Sequence, residues 1–182
     1  ALNYMKVTGL LRNGGKISGV VAEDQETDAA YRIPAKVVIN ATGVFVDHVI
    51  KMADPKARDV VKPSQGIHLV LGRRFLKGEE ALMIPRTSDG RVLFAVPWHN
   101  RVVVGTTDVE KQRAELEPGP EEEEVDYILD TAGRFLDEKP GRGDVLSVFA
   151  GLRPLAAPSG SSAKTKEISR GHKIIMSDGG LI

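Results

Sequence analysis

Residues 91–107 read RVLFAVPWHNRVVVGTT, and this stretch decides the fold class. Two runs rich in β-branched and aromatic residues, at 91–98 and 101–107, are separated only by His99-Asn100. So short a connection between two such runs is typical of a β-hairpin. The stretch therefore predicts neighbouring antiparallel strands.

The sequence on both sides of this hairpin extends the pattern. Further runs with strand composition are bounded by turn residues such as Asn13-Gly14-Gly15. They lie at 4–12, 17–22, 31–33, 65–71, 81–85, 144–152, 164–169 and 173–176. Strands outnumber helices, so we predict an α+β fold with a largely antiparallel, mixed sheet and a few covering helices.

One segment has a different character. The run 36–40 (KVVIN) predicts a strand buried on both faces, and Ala41-Thr42-Gly43 closes it. Apolar residues between 46 and 53 then recur at helical spacing, and Asp54-Pro55 ends that helix. A strand, a tight glycine turn and a helix in this order resemble one edge of a nucleotide-binding sheet.

A second helix is predicted after Pro120. The acidic residues 121–124 stand at the positive end of its dipole, and we interpret them as a solvated helix start. The apolar stripe of this helix comprises Val125, Ile128, Leu129, Ala132 and Phe135.

Composition excludes several classes of protein. The 25 basic residues balance the 25 acidic ones, which gives no general reason to expect nucleic acid as a partner. Cysteine is absent, so disulfides and thiolate sites are excluded, and the four histidines lack close metal-ligand spacing, so we predict no metal. No signal peptide is apparent. Both ends of the chain lie in apolar stretches, which we expect of an internal piece of a longer protein.

Three polar residues are candidates for chemistry. His68 lies inside the apolar run GIHLVL (66–71), where an imidazole needs either a partner or a function. Arg153 stands between Leu152 and Pro154, where its planar fork suits a structural carboxylate or a bound phosphate equally well. Arg170, in a turn, is more typical of a solvent-facing residue.

These segments together resemble one known family. VINATG (38–43), GIHLV (66–70), VPW with VGTTD (96–108), FAGLRPL (149–155) and SRGH (169–172) occur in this order over nearly the whole chain. The ordered set resembles the FAD-dependent glycerol-3-phosphate dehydrogenases, flavoproteins of the D-amino-acid-oxidase-like superfamily. One departure is Val44-Phe45, where the family commonly has Pro-Trp.

The resemblance implies roles for individual residues. Ala41, Thr42 and Gly43 would contact the FAD. Arg153 would bind the substrate phosphate and Arg170 would assist it. His68 would lie near the reacting hydroxyl as a catalytic base or a hydrogen-bond partner.

It also implies a division of the chain and a reaction. Residues 1–60 would contribute to the edge of the FAD-binding domain, and 61–182 would form the substrate-binding domain, like those of FAD-linked reductases. The whole enzyme would oxidise sn-glycerol 3-phosphate to dihydroxyacetone phosphate and pass electrons through FAD to a quinone or another acceptor. The main FAD motif, Gly-x-Gly-x-x-Gly, is absent from this chain, so the fragment alone would be inactive.

Alternatives remain open at this point. Oxygen is a second candidate acceptor, which would make the whole protein a glycerol-3-phosphate oxidase. An amine-oxidising flavoenzyme of the same superfamily and a binding module without catalysis are the others. The resemblance favours a cytoplasmic location, with peripheral attachment to the inner face of the membrane and homodimer formation left open.

Overall fold

The structure, a computed structural model, describes residues 1–85, 87, 90–156, 165, 168, 171 and 173–182. These residues form two compact units. The first comprises Ala1–Val61 with the described residues 156, 171 and 173–182, and the second comprises the rest. The last ten residues thus pack with the first unit, whereas the sequence assigned them to the second segment. The predicted domain division of the whole protein stays a prediction.

The first unit contains a three-stranded antiparallel sheet and a helix. Its strands follow one another in sheet order, and all three were predicted. The helix packs Val49 against Ile17 and Leu181 in a small apolar core. The elements are β1 (Met5–Asn13), β2 (Lys16–Asp24), β3 (Ala30–Pro34) and α1 (Val46–Ala53).

The prediction of a buried strand at 36–40 is wrong. Val38 forms only an isolated parallel bridge with Leu181. The flanking Val37 and Ile39 are 55% and 68% exposed. A strand buried on both faces needs further strands and covering helices beside it, and the described residues supply no more than this one bridge. Residues 173–176 are likewise not a strand, and most of 164–169 lies outside the described residues.

The second unit is built on a six-stranded sheet. Strand β4 pairs with β7, β8 and β9, and β7 continues through β6 to β5. Every pairing along the path β5-β6-β7-β4-β8 is antiparallel. The predicted α+β class is therefore confirmed. The elements are β4 (Val61–Gly72), β5 (Leu82–Ile84), β6 (Leu93–Trp98), β7 (Arg101–Gly105), β8 (Val109–Glu110), α2 (Glu122–Ala132) and β9 (Val145–Ala156).

The alternation of residues along β4 gives this sheet two different faces. Ile67, Leu69 and Leu71 are fully buried in a core that also contains Ile128 of α2. Burial of each such side chain stabilises the fold by about 1.5–3 kcal/mol. His68, between two of them, therefore points to the opposite face. The core face fixes the strand, which leaves the other face free for a site.

Helix α2 begins as predicted, but the expectation of a solvated acidic start is wrong for one residue. Glu124 is only 4% exposed, whereas its neighbour Glu123 is exposed. Glu124 forms a capping box with Glu121, which ties the first turn of the helix together. Phe135, assigned to the apolar stripe, lies beyond the end of α2 and is 52% exposed. In the described part of the chain no helix is long and apolar enough to cross a membrane.

Candidate functional site

The imidazole of His68 lies flat on the open face of the sheet. Gly105 of β7 is its partner across the strands. A Cβ atom added at Gly105 would stand 2.4 Å from His68 Cδ2, so only glycine leaves space for the ring. On the other side the ring of Phe149, from β9, stacks on it at 5.0 Å between centroids and 11° between planes. The ring is held in position by packing from both neighbouring strands.

The surroundings of His68 lower its pKa. Partial burial penalises the charged imidazolium, and the positive charge of Arg153 adds to the effect. The ring is therefore neutral at neutral pH and carries a lone pair that can accept a proton. Among the described residues no hydrogen bond to its nitrogens is seen, so of the two alternatives that the sequence left open for His68, a partner or a function, no polar partner is found there.

Arg153 brings its guanidinium to the same face. Nη1 donates to the carbonyl oxygen of Thr107 at 3.1 Å, and Nη2 donates to Thr106 Oγ1 at 2.9 Å. A Cβ atom at Gly66 would lie 2.2 Å from Nη2, so this glycine leaves the space in which the guanidinium lies. The two suspected residues, 85 positions apart in the sequence, thus lie close enough for the charge of one to affect the other.

An open trough extends from His68 along the same face. Its volume is about 720 Å³. Most of its wall is apolar, and polar side chains line it at His68 and Thr106 and at His99 and Arg101 of the β6–β7 hairpin. A trough of this kind suits a flat or partly apolar ligand that also carries polar groups. Its apolar lining comprises Val70, Phe94, Val96, Trp98, Val103 and Phe149.

A hydrogen-bonded cluster lies beneath this face. Gln65 Nε2 donates to Glu124 Oε2 at 2.6 Å, and Thr107 Oγ1 donates to Glu124 Oε1 at 2.6 Å. The backbone N–H of Ile67 donates to Thr107 Oγ1 at 3.0 Å. Sequence reasoning missed Thr106, Thr107 and Glu124, although the first two lie in the VGTTD motif.

The turn predicted to contact a cofactor lies in the first unit. Ala41, Thr42 and Gly43 are all exposed. Gly43 has a φ of 59°, a left-handed conformation that favours glycine, and a Cβ there would meet nothing within 4 Å. Asn40 holds the turn, since its Nδ2 donates to the carbonyl of Val46 at 2.9 Å and its Oδ1 accepts from Thr42 Oγ1 at 2.7 Å. This open, held backbone fits the close approach of a flat cofactor.

Two predictions, on Arg170 and on metal binding, are not tested by the structure. Arg170 lies outside the described residues. No group of three or more potential metal ligands occurs among the described residues, and the prediction of no metal stays a prediction. The structure brings His68 and Arg153 together on one face of the second unit.

The family is decided by comparison with known proteins. A family model described as "FAD dependent oxidoreductase" matches residues 1–177. The chain belongs to this family. Mitochondrial glycerol-3-phosphate dehydrogenases from Mesocricetus auratus and Homo sapiens are each 39% identical over 99% of the chain. These findings confirm the resemblance noted in the sequence. The chain spans only 26% of the length of each of these two relatives.

Solved structures agree with this family. A glycerol-3-phosphate dehydrogenase from Bacillus halodurans, complexed with FAD, is 36% identical, with a TM-score of 0.85 over 100% of this chain and 34% of its own. A glycine oxidase from Geobacillus kaustophilus has a TM-score of 0.59 at 16% identity, covering 85% of this chain and 37% of its own. The second likeness shows a shared fold alone.

The packing of His68 against Gly105 gives a first prediction. Gly105→Ala is expected to lower the free energy of unfolding by about 1–3 kcal/mol, because the added methyl overlaps the imidazole ring. Denaturant unfolding of the purified protein measures the change. Gly72→Ala, in β4, is the control, since a Cβ there meets nothing within 4 Å. Equal stability of the two variants would contradict the described ring position.

Proposed function

We propose that this chain forms the substrate side of an FAD-dependent glycerol-3-phosphate dehydrogenase. In this proposal the whole enzyme oxidises sn-glycerol 3-phosphate to dihydroxyacetone phosphate and passes the electrons to a quinone. The observation that carries it is the placement of the Arg153 guanidinium and the His68 imidazole on one sheet face. The names of the relatives support the choice of substrate.

The geometry suits the two demands of this reaction. Oxidation of a secondary alcohol removes a proton from the hydroxyl and a hydride from its carbon. FAD, when bound, supplies the hydride acceptor. His68 can take the hydroxyl proton because burial and the nearby positive charge keep its ring neutral.

Binding of the phosphate falls to the arginines. A guanidinium presents paired N–H donors that match two phosphate oxygens. Arg153 is the proposed primary contact, and Arg170 is proposed to assist it. The backbone and hydroxyl oxygens of Thr106 and Thr107 orient the Arg153 fork. The apolar trough would exclude water from the reacting carbon.

The turn Ala41-Thr42-Gly43 is proposed to contact FAD. Its exposure and the left-handed backbone at Gly43 support this assignment. The chain offers no glycine-rich loop for the pyrophosphate, which would bind to another part of the longer protein.

The isolated chain is therefore expected to bind FAD poorly. Purified 182-residue protein, incubated with FAD and desalted, should retain far less than one flavin per chain. Absorbance in the flavin bands measures the retained cofactor. The control is the full-length parent, the longer protein that contains this chain, treated in the same way. Stoichiometric flavin on the short chain would overturn this expectation.

Anaerobic assay of the full-length parent tests the proposed activity. The proposal expects glycerol 3-phosphate to reduce the bound flavin, while glycine and glycerol do not. Bleaching by an amine substrate instead would favour the amine-oxidising alternative. Rapid reoxidation by oxygen would favour the oxidase.

Three finer points belong to the same proposal. We propose a peripheral association of the whole enzyme with the cytoplasmic face of a membrane, where a quinone is accessible. The relatives named above are mitochondrial, so the cytoplasmic location stays a prediction. Homodimer formation likewise stays a prediction.

A further inference from the structure

Glu124 is a buried carboxylate that the proposed reaction does not use directly. It is 4% exposed and accepts hydrogen bonds from Gln65 Nε2, Thr107 Oγ1 and the backbone N–H of Glu121 at 2.6, 2.6 and 3.1 Å. A polar group is costly to bury unless hydrogen-bond partners surround it in this way.

The hydroxyl of Thr107 has its direction fixed by these contacts. It accepts from the Ile67 N–H at 3.0 Å, and its single proton goes to Glu124 Oε1. The hydroxyl therefore accepts from β4 on one side and donates to α2 on the other. Glu124 therefore joins α2 to the segment that follows β7, and Thr107 joins that segment to β4 at Ile67.

The same segment contacts the site on the other face of the sheet. The Thr107 carbonyl accepts from Arg153 Nη1, and Thr106 Oγ1 accepts from Nη2. Ile67 is flanked by Gly66, which leaves room for the guanidinium, and by His68. One residue, Thr107, thus uses its side chain toward Glu124 and its carbonyl toward Arg153.

We propose that Glu124 is a positioning residue of the substrate site. Through Thr107 it holds the backbone on which the Arg153 guanidinium lies and from which His68 projects. The assignment of a phosphate to Arg153 rests on the proposed function, but the coupling between Glu124 and Arg153 does not.

The substitution Glu124→Gln separates a positioning role of this residue from a role in packing alone. Glutamine keeps the size of glutamate and can still accept one set of hydrogen bonds. It replaces one acceptor oxygen by an NH₂ donor, so it cannot accept from both Gln65 and Thr107 on separate atoms. Glu123→Gln is the matched control, since it removes the same charge from an exposed neighbour on the same helix.

The experiment uses the full-length, FAD-loaded parent. Glu124→Gln is expected to raise KM for glycerol 3-phosphate about tenfold, with a smaller change in kcat. Competitive inhibition by inorganic phosphate should weaken by a similar factor. Thr107→Val should show the same pattern, and Thr107→Ser, which retains the hydroxyl, should restore values near wild type.

A second readout does not depend on the substrate. Burial lowers the pKa of His68, and the charge of Arg153 lowers it further. If Arg153 moves in Glu124→Gln, the pKa of His68, followed by NMR of histidine-labelled protein, should rise toward its ordinary value. Glu123→Gln should leave it unchanged.

The outcomes distinguish the two proposals. A variant Glu124→Gln with lower thermal stability but the KM, phosphate inhibition and His68 titration of wild type would overturn the positioning role. Failure of the wild-type parent to oxidise glycerol 3-phosphate would overturn the proposed function. The His68 titration would then still decide the positioning role, a rise supporting it and an unchanged value overturning it.

Discussion

Replacing His68 by glutamine is expected to lower kcat of the full-length parent about 10²–10⁴-fold, the range typical of a lost general base. Glutamine keeps the approximate size and a hydrogen-bonding group but cannot accept the hydroxyl proton. Steady-state turnover of glycerol 3-phosphate measures the loss. The wild-type rate should also fall on the acid side, as pH drops through the lowered pKa of His68 and the ring becomes protonated.

The same lowered pKa has a defined effect on stability. Because the folded-state pKa lies below the unfolded value, the unfolded chain binds more protons between the two, so stability falls as pH decreases through that interval.

His48→Gln, at an exposed position on α1, is the control for loss of a histidine. Near-normal turnover of the His68 variant, together with lower thermal stability, would show that His68 only supports the packing with Phe149 and Gly105.

Local patterns in the sequence were sufficient to predict the hairpins and the helices. The β6–β7 hairpin follows from alternation and a two-residue connection, both of which act between near neighbours. The prediction of a strand at 36–40 is wrong for the opposite reason. Its β-branched composition favours a buried strand, but burial depends on which other segments cover it, and Val37 and Ile39 remain exposed.

The candidate site shows the same limit. His68 and Arg153 attract attention because each is a polar residue in an apolar context. The residues that hold His68 and Arg153 in place do not stand out in the sequence, because their contacts join distant parts of the chain. Glu124 reads as a solvated helix start until Gln65, 59 positions away, is seen to donate to it. The sequence alone does not mark Gly66 and Gly105 as part of the site. The structure shows that each leaves space for a crowded polar side chain.

Replacing Arg153 by alanine is expected to lower kcat/KM for glycerol 3-phosphate about ten- to a hundredfold, because the proposed charge-assisted bidentate contact with the phosphate would be lost. Most of the loss should appear in KM, since a phosphate remote from the reacting carbon is bound in the ground state and in the transition state alike. Steady-state kinetics of the full-length parent separate the two parameters. Arg153→Lys should lie between alanine and wild type, because lysine keeps the charge without the planar fork.

A structural role for Arg153 predicts a different pattern. The guanidinium donates to Thr106 and Thr107, so its removal also leaves those oxygens without these donors and a gap beside Gly66. That defect would lower thermal stability without discriminating between phosphorylated and unphosphorylated substrates. Arg113→Ala, exposed between β8 and α2, is the control for loss of a positive charge. If wild type and Arg153→Ala showed the same preference for glycerol 3-phosphate over glycerol, the arginine would hold the strands together and not the phosphate.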